Sequence, residues 1–459
     1  MKLLLQWIEN ILITAFIIIL PFEKRHIFFA ISPVIASHGG HFFNPFAYIS
    51  VYLSDFLVAI FTILLIARFK LKQVPNSYKS VLFLLFLFAL TESLILPHET
   101  FIVFYTVKIG EFILLALYFS TIFSQKRAII LNSLVISGLF QSFLAMTQFK
   151  LQHSLGLKIL GEQILSQSAV GVAKLSNGFI RAYGTFAHPN QLGAFLFVAC
   201  ATATYLFITG SKNKMRIFYG ICIFLLVDAL ILTFSRNAYV SLTAVIIILV
   251  SLMVPLVTNK ISRDTKRVVL NLAGIFAITL LVAYATLLPY INSRITISDQ
   301  VQRINFDTAG LKIFLKHPIF GVGIGQMVQQ TYNELGRTAQ RYLAQPPHNF
   351  YIDVAVEMGM IGLLLYLFLF SSLINGLWQN LSQKQTENEH KKGDSILFFS
   401  IFIGILISML FDHFFYTQEQ TQLLLWSIIG IIIGLQNQKT AKNSSQVNPA
   451  IKFNPTIKS

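Results

Sequence analysis

PPHNF, residues 346–350, ends a long polar stretch of this chain and begins a hydrophobic one. The polar stretch runs from residue 289 to residue 347, and apolar sequence then continues as far as Trp378. A histidine, His348, therefore stands where a long loop re-enters a hydrophobic helix. We expect this histidine at one identifiable face of a membrane-embedded fold.

The composition supports a membrane protein. The chain has 459 residues, of which 55% are hydrophobic and only 12% are charged, and its mean hydropathy is +0.68. Soluble proteins carry about 25% charged residues. The apolar residues come in runs of 18 or more, which is typical of transmembrane helices. We predict an all-α polytopic membrane protein with a single membrane domain, residues 1–437, and a polar cytoplasmic tail, residues 438–459.

Hydropathy predicts about twelve transmembrane helices. The predicted spans are 3–21, 48–67, 80–96, 101–122, 128–148, 190–209, 217–234, 238–257, 268–288, 350–376, 395–413 and 421–437. The net charge of +16 comes largely from lysines and arginines on alternate connections. The positive-inside rule places those connections in the cytoplasm, together with both chain termini. In a membrane protein this bias is the first explanation of a basic balance, so we expect no nucleic-acid partner.

Two connections on the opposite, outer side are long, residues 149–189 and residues 289–349. The second lies between predicted helices nine and ten, and its sequence predicts an amphipathic helix at about 304–316. Its apolar residues Leu311, Phe314 and Leu315 fall on one side, so we expect this helix to lie along the membrane surface. Binding groups can accumulate in these two segments.

Arg236 stands between two hydrophobic runs with almost no loop between them. A guanidinium at the membrane edge can hold a phosphate bidentately, which a lysine cannot do. The alternative is an interfacial anchor that reaches the lipid headgroups. Anchoring arginines are expected on the cytoplasmic side, and this one falls on the outer side, so we favour a functional role.

Three more residues are candidates for the site. Arg181 and His188 precede the predicted span 190–209, and Arg303 precedes the predicted surface helix. Arg181 lies near Gly184, where a ligand can approach the backbone closely. His188 precedes Pro189 and Asn190, which look like a helix start; a helix-start residue bonded to the backbone is the alternative for this histidine. Arg303 is a further cation, and pairing with Asp299 or Asp307 is its alternative.

His348 begins predicted span ten. The positive end of a helix disfavours a protonated imidazole, and a neutral histidine can accept a proton as a general base. The alternative is a capping or interfacial histidine. Asn349 is suited to orienting this base or to binding sugar hydroxyls.

Several chemistries lack support. The predicted outer-face acids are scattered, so neither a cluster of oxygen ligands for a divalent metal nor a pair of glycosidase carboxylates is predicted. We expect no metal and no cofactor. Within the membrane, Lys108 and Glu111 are three residues apart and are expected to neutralise one another. The sequence names no partner for Asp55, Glu92 or Asp228.

The sequence resembles the O-antigen ligase and polymerase family. Five segments carry the resemblance, in this order along the chain: RAYGTFAHPN (181–190), SRN (235–237), HPIFGVGIG (317–325), PHNFYI (347–352) and EMGMIG (357–362). Each motif is weak alone, but together, across residues 181–365, they are specific.

The resemblance implies a GT-C-like glycosyltransferase in the bacterial inner membrane. Such enzymes transfer a glycan from undecaprenyl pyrophosphate to an acceptor hydroxyl on the periplasmic face. It also implies that His348 is the catalytic base and that Arg181 and Arg236 bind the pyrophosphate. Arg303 would be a substrate-binding cation, together with His188, Asn190 and Asn349.

The acceptor remains open at this point. A glycan or the lipid A core is expected, which corresponds to a polymerase or a ligase, and protein glycosylation is less favoured. The rival class is a transporter for lipid-linked glycans, which would place charges near the bilayer midplane. Here the candidate groups cluster on one face, so an enzyme is preferred.

Overall fold

The protein is described by a computed structural model. It covers residues 2–30, 48–68, 71, 74–95, 100–169, 171–175, 177–258, 274, 297–335, 345–382 and 389–445. The predicted span 268–288 lies outside these residues, apart from Gly274.

The described residues are mostly helical, 78%. The helices are α1 (Lys2–Ile19), α2 (Leu53–Arg68), α3 (Asn76–Ile95), α4 (Thr100–Leu151), α5 (Pro189–Thr209), α6 (Asn213–Leu232), α7 (Arg236–Thr258), α8 (Ile297–Lys316), α9 (Met327–Leu335), α10 (Phe350–Ser382), α11 (Glu389–Met409), α12 (Phe414–Thr417) and α13 (Glu419–Ser445). Seven helices of the described part are long and apolar enough to cross a membrane: α3, α4, α5, α6, α7, α10 and α11. The helical, polytopic class is confirmed, and the count of twelve spans stays a prediction.

A small sheet interrupts the predicted second span. β1 (Arg25–Ala30) pairs antiparallel with β2 (Tyr48–Tyr52). The sequence of β2, YISVY, is rich in aromatic and β-branched residues, which suit an extended backbone. Helix α2 starts only at Leu53, so the prediction of a span from residue 48 was wrong over its first five residues.

The bundle has two distinguishable ends. The starts of α5 and α10 lie at one end, which we call the site end. The end of α5 and the start of α11 lie at the other, which we call the opposite end; there Arg127 of α4 bonds both Tyr205 of α5 and Asp394 of α11.

Helix α4 is helical throughout, but its contacts show that its two arms run in opposite directions. Lys108 on the first arm contacts Glu419, at the start of α13. Gln148 on the second arm donates to the carbonyl of Gly184, just before α5. Both contacts lie at the site end, whereas Arg127 between them lies at the opposite end. A straight helix would hold residues 108 and 148 about 60 Å apart, so the chain reverses near Arg127, as the two predicted spans require.

Helix α5 forms the centre of the core. Nearly all of its side chains are buried, from Pro189 to Ile208. Small residues allow close helix contacts there: a Cβ on Gly193 would lie 2.7 Å from that of Ala238 on α7, and Gly138 of α4 stands equally close to Ala199. Small residues at helix interfaces are typical of membrane bundles, because they let backbones approach.

The turn between α8 and α9 is fixed to α10. Gly321 in the turn has φ +78°, and Gly359 inside α10 has φ +64°. A side chain at Gly321 would clash with the backbone of α10, and one at Gly359 would clash with the backbone of the turn. The N–H of Val322 donates to the carbonyl of Val356 at 2.9 Å, and the N–H of Met360 donates to that of Pro318 at 2.8 Å. These glycines therefore hold a kink in α10 against the turn.

The predicted surface helix is present within α8, which begins at Ile297. Phe306 and Ile313 are buried, and Gly310 packs on Pro347, directly before His348. Leu311 and Leu315, predicted to share the apolar side of this helix, are 49% and 74% exposed. Their exposed face is available to lipid, and the contact with Pro347 joins α8 to the start of α10.

Candidate active site

Asp412 lies at the centre of a polar cluster at the site end. Helix α11 ends at Met409 and α12 begins at Phe414, so a short loop carries Asp412 and His413. Asp412 is only 4% exposed. Its Oδ2 accepts a hydrogen bond from the Asn190 amide at 2.6 Å, and its Oδ1 accepts the backbone N–H of His413 at 3.0 Å. The carboxylate is therefore held from two directions.

His348 faces this carboxylate from the start of α10. Its Nδ1 lies 3.5 Å from Asp412 Oδ1, an ion-pair distance, and this buried nitrogen has no aligned hydrogen-bond partner among the described residues. The backbone N–H of His348 donates to Asp307 on α8 at 2.6 Å. Asp307 thus holds the backbone of His348. The imidazole directs Nδ1 toward Asp412, which leaves Nε2 on the other side of the ring.

Asn349 caps helix α10. Its Oδ1 accepts the backbone N–H groups of Tyr351 and Ile352, at 2.9 and 3.2 Å, and its amide donates to the carbonyl of Leu410 at 3.1 Å. These are the contacts of a helix N-cap. The predicted contact of Asn349 with sugar hydroxyls stays a prediction, since its oxygen and its amide already bond within the protein.

His413 packs beside His348, with ring centroids 5.3 Å apart. Its Nδ1 lies 2.6 Å from the hydroxyl oxygen of Thr417, and its Nε2 lies 3.8 Å from Asp412 Oδ1. Burial is the largest influence on its pKa, which is lowered to about 3; Asp412 opposes this shift, and His348 and Arg303 add to it. His413 is therefore neutral at physiological pH.

Arg181 reaches the cluster through Asn190. The guanidinium is buried; its Nε donates to the carbonyl of Thr233 and its Nη2 to Asn190 Oδ1, both at 2.7 Å. Asn190 in turn donates to Asp412. Arg181 and Asn190 therefore act as a bonded pair that orients the Asp412 carboxylate.

His188 is the N-cap of α5. Its Nδ1 accepts the backbone N–H of Asn190 at 3.2 Å, so its ring proton is on Nε2. Burial, and then the nearby Arg181, hold the pKa of His188 well below its ordinary value. The contact matches the helix-start alternative, with a neutral imidazole inside the cluster.

Of the predicted site arginines, Arg303 and Arg236 make no hydrogen bond or ion pair with a described residue. Arg303, on α8, is half-buried, and its charge lowers the pKa of both Asp412 and His413. Arg236 is the first residue of α7 and is exposed. The side chain of Asp299, one predicted partner of Arg303, lies outside the described residues.

A strained turn precedes Arg236. Phe234 has φ +51°, in the left-handed region that non-glycine residues rarely adopt. It lies between α6 and α7, and Asn237 anchors the start of α7 by donating to the Ser408 hydroxyl at 3.0 Å. Arg236 is thereby placed at the site end, but outside the group centred on Asp412.

Two carboxylates of the cluster have pKa values shifted in opposite directions. Burial raises the pKa of Asp412, but His348, His413 and Arg303 outweigh burial and hold this pKa below its ordinary value. Burial raises the pKa of Asp307, and the His348 N–H and imidazole only partly oppose the rise. Asp412 is therefore the more acidic of the two carboxyl groups.

Six of the seven predicted site residues meet around Asp412: Arg181, His188, Asn190, Arg303, His348 and Asn349. Arg236 stands apart. Sequence reasoning missed Asp412 and His413, because it extended predicted span eleven to residue 413, whereas α11 ends at Met409. An acid and a histidine at the end of an apolar run were the available signal.

Metal ligation is geometrically possible at this cluster. One ligand atom from each of His348, Asp412 and His413 lies within 4.8 Å of the others. The sequence argument against a metal considered clusters of oxygen ligands only, and so did not include this mixed group of two imidazoles and one carboxylate.

A second polar cluster surrounds Lys108. Its ammonium lies 2.8 Å from Asp55 and 3.0 Å from both Glu111 and Glu419. The predicted pair with Glu111 is thus part of a larger group, and Asp55 has a partner that the sequence did not name. Glu92 accepts the N–H of Ile324 at 3.3 Å.

The family comparison agrees with the motifs. Residues 221–367 match the family model described as O-antigen ligase, which confirms the resemblance. The matched segment contains Arg236, Arg303 and His348, and it ends before Asp412. No curated protein matches the chain.

Proposed function

From this match to the O-antigen ligase family model over residues 221–367, we propose that the protein transfers a glycan from undecaprenyl pyrophosphate to an acceptor hydroxyl. The reaction takes place at the periplasmic face of the bacterial inner membrane, with both termini in the cytoplasm. The observation that carries the proposal is the convergence of four chain segments on Asp412. They bring His348 and two arginines, Arg181 and Arg303, together at one end of an apolar bundle.

His348 is the general base of this reaction. The acceptor oxygen attacks the anomeric carbon, the bond from that carbon to the pyrophosphate oxygen breaks, and the acceptor proton passes to His348 Nε2. Asp412, 3.5 Å from Nδ1, stabilises the Nδ1–H tautomer, which leaves Nε2 able to accept the proton. A positioned base contributes about 10²–10⁴-fold to such a step.

Arginines stabilise the leaving pyrophosphate. Pyrophosphate departs as an anion, so it needs positive charge and no proton. Arg236 is exposed and without a described partner, which suits direct bidentate contact. Arg303 adds positive charge beside Asp412. Arg181 adds positive charge on the other side of Asn190, which it bonds. No metal is required in this scheme.

A ligase is preferred, and a polymerase that joins repeat units is the alternative. Both need the same base and the same pyrophosphate site, and they differ only in the acceptor. Reconstituted protein offered lipid A core or a second lipid-linked glycan distinguishes them by the product formed. Protein glycosylation and lipid-linked glycan transport remain less favoured.

The test is single-turnover transfer in proteoliposomes with an undecaprenyl-pyrophosphate-linked glycan. His348→Ala should slow transfer by about 10²–10⁴-fold while the donor still binds. His153→Ala, which changes an exposed histidine away from the cluster, is the matched control and should transfer normally. Normal transfer by His348→Ala would refute the base assignment, and transport of an intact donor without transfer would refute the enzyme class.

A further inference from the structure

We infer that His348, Asp412 and His413 form a binding site for Zn²⁺ that inhibits the protein. The inhibitory part of this inference rests on the proposed role of His348 as the base. The existence of the site rests only on the geometry of the three side chains.

His413 places a ring nitrogen beside the carboxylate. Its Nδ1 lies 2.6 Å from the Thr417 hydroxyl, and its Nε2 lies 3.8 Å from Asp412 Oδ1. One ligand atom from each of His348, Asp412 and His413 lies within 4.8 Å of the others. Imidazole nitrogens and a carboxylate oxygen brought this close in a buried place favour a cation between them.

His348 supplies the third ligand atom. Its buried Nδ1 has no aligned hydrogen-bond partner among the described residues and lies 3.5 Å from the same Asp412 oxygen. Zinc bonds of about 2.0–2.1 Å in a tetrahedron separate neighbouring ligand atoms by roughly 3.4 Å. The two spacings to Asp412 are close to this value and longer than a hydrogen bond.

The donor set selects the metal. Imidazole nitrogens suit Zn²⁺ and similar transition metals, whereas Mg²⁺ and Ca²⁺ prefer sites made of oxygen ligands. Three protein ligands also leave a fourth position of the tetrahedron open, to water or to a substrate oxygen.

Outer contacts hold the ligands in place. The Asn190 amide bonds Asp412 Oδ2, and Oδ1, which accepts the His413 backbone N–H, keeps a second lone pair for the metal, while Thr417 orients His413. Such contacts strengthen metal affinity. The charge of Arg303 opposes a bound cation, and Asp307, which bonds the His348 backbone, partly offsets that charge.

The acidic cluster at Lys108 is a weaker candidate. The ammonium of Lys108 already lies within 3.0 Å of Asp55, Glu111 and Glu419. A metal there would have to displace a buried cation, whereas the cluster at Asp412 has no cation between its ligand atoms among the described residues.

Zinc and catalysis exclude one another at His348. A neutral imidazole that binds metal through Nδ1 keeps its proton on Nε2. Nε2, which takes the proton of the acceptor hydroxyl in the proposed reaction, can then only donate a hydrogen bond. Asp412 binds the metal and no longer stabilises the Nδ1–H tautomer. Transfer should therefore fall as Zn²⁺ binds and recover when a chelator removes it.

The site is tested by binding, independently of activity. Protein in nanodiscs is stripped with EDTA and titrated with Zn²⁺ by equilibrium dialysis, and with Co²⁺ to detect the intense visible absorption of tetrahedral cobalt. One equivalent should bind, with the cobalt signal, and His413→Ala and Asp412→Asn should each abolish it. His153→Ala is the matched control and should bind as the wild type does.

Thr417→Val provides a milder variant, because it leaves all three ligands in place. It should weaken zinc binding severalfold without abolishing it. Absence of stoichiometric binding in the wild type, or unchanged binding in both ligand variants, would overturn the site.

The inhibition is tested by transfer assays with Zn²⁺ and with EDTA. Zinc should inhibit the wild type at the concentrations that fill the site, and EDTA alone should leave activity intact or raise it. Undiminished transfer by zinc-loaded protein would overturn the inhibition. If the zinc-free protein shows no transfer at all, the proposed function fails, while the binding titration still decides the metal site.

Discussion

The two ends of the bundle carry similar residues but use them differently. At the opposite end, Arg127 is bonded to Asp394, with N–O distances of 2.8 and 2.6 Å. Glu9 lies between Arg68 and Lys126, at 2.5 and 3.1 Å. Each of these cations has an acid as partner.

At the site end the balance is different. Arg236 and Arg303 have no hydrogen bond or ion pair with any described residue, and Asp412 is held by an amide and by a backbone N–H. Paired charges hold helix ends together, because breaking such a pair leaves a buried charge unsatisfied. Unpaired cations beside a fixed base are instead prepared for an anionic ligand. The difference separates the ion pairs of the opposite end from the cluster around Asp412; the ion pairs of Lys108, although at the site end, are of the structural kind.

The largest expected difference between the two ends is their accessibility from outside the cell. Ser168 is exposed near the site end, and Ser211 is exposed at the opposite end. A membrane-impermeant thiol reagent should label Ser168→Cys in intact cells and should not label Ser211→Cys. Both native cysteines, Cys200 and Cys222, are buried, so the background is low. The reverse labelling pattern would place the arginines in the wrong compartment.

The next effect concerns Asp412 as a positioning residue. Asp412→Asn keeps the shape but loses the charge beside His348, so kcat should fall by about 10²-fold with donor KM unchanged. Asp412→Glu should restore part of the activity. No recovery in Asp412→Glu, or a rise in donor KM that matches the loss of kcat, would show that Asp412 has only a structural role.

Arg236→Lys should have a smaller effect. The charge remains but the planar fork is lost, so donor binding should weaken by about tenfold, or roughly 1.4 kcal/mol. Arg216→Lys makes the same change at the opposite end, where Arg216 bonds the carbonyl of Gly210, and should leave donor affinity unchanged. Equal losses in both variants would contradict the distinction between the ends. Arg181→Lys should weaken the donor site and also loosen Asn190, because Arg181 is bonded there.

The smallest effect on function is expected at Arg127. Arg127→Ala leaves Asp394 buried without its partner, so the thermal midpoint should fall. The cost should lie toward the lower end of the about 3–5 kcal/mol typical of a broken buried pair, since the Arg127 side chain is 26% exposed. Donor affinity of the folded fraction should match the wild type. Adding Asp394→Asn should recover part of the stability, and a specific loss of donor binding would refute a purely structural role.

The sequence by itself determined the membrane class, the motifs and most of the site. Apolar runs long enough to cross a bilayer can satisfy their backbone polar groups only as helices in an all-helical protein, so composition and length decide the class. The sequence also named four site residues, Arg181, Arg236, Arg303 and His348. A charged or titratable group at the edge of an apolar run costs free energy, so its presence there indicates a function.

The tertiary structure alone decided which groups meet and in what state. Asp412 and His413 lie only a few residues from the predicted boundary of a span, and hydropathy cannot resolve a helix end to that precision. The reversal of α4 and the bond from Asn190 to Asp412, 222 residues away in sequence, depend on how helices pack. Burial also made Arg181 a bonded support and left Arg236 exposed. Two arginines of equal chemistry differ because solvation and hydrogen bonding are set by neighbours distant in the chain.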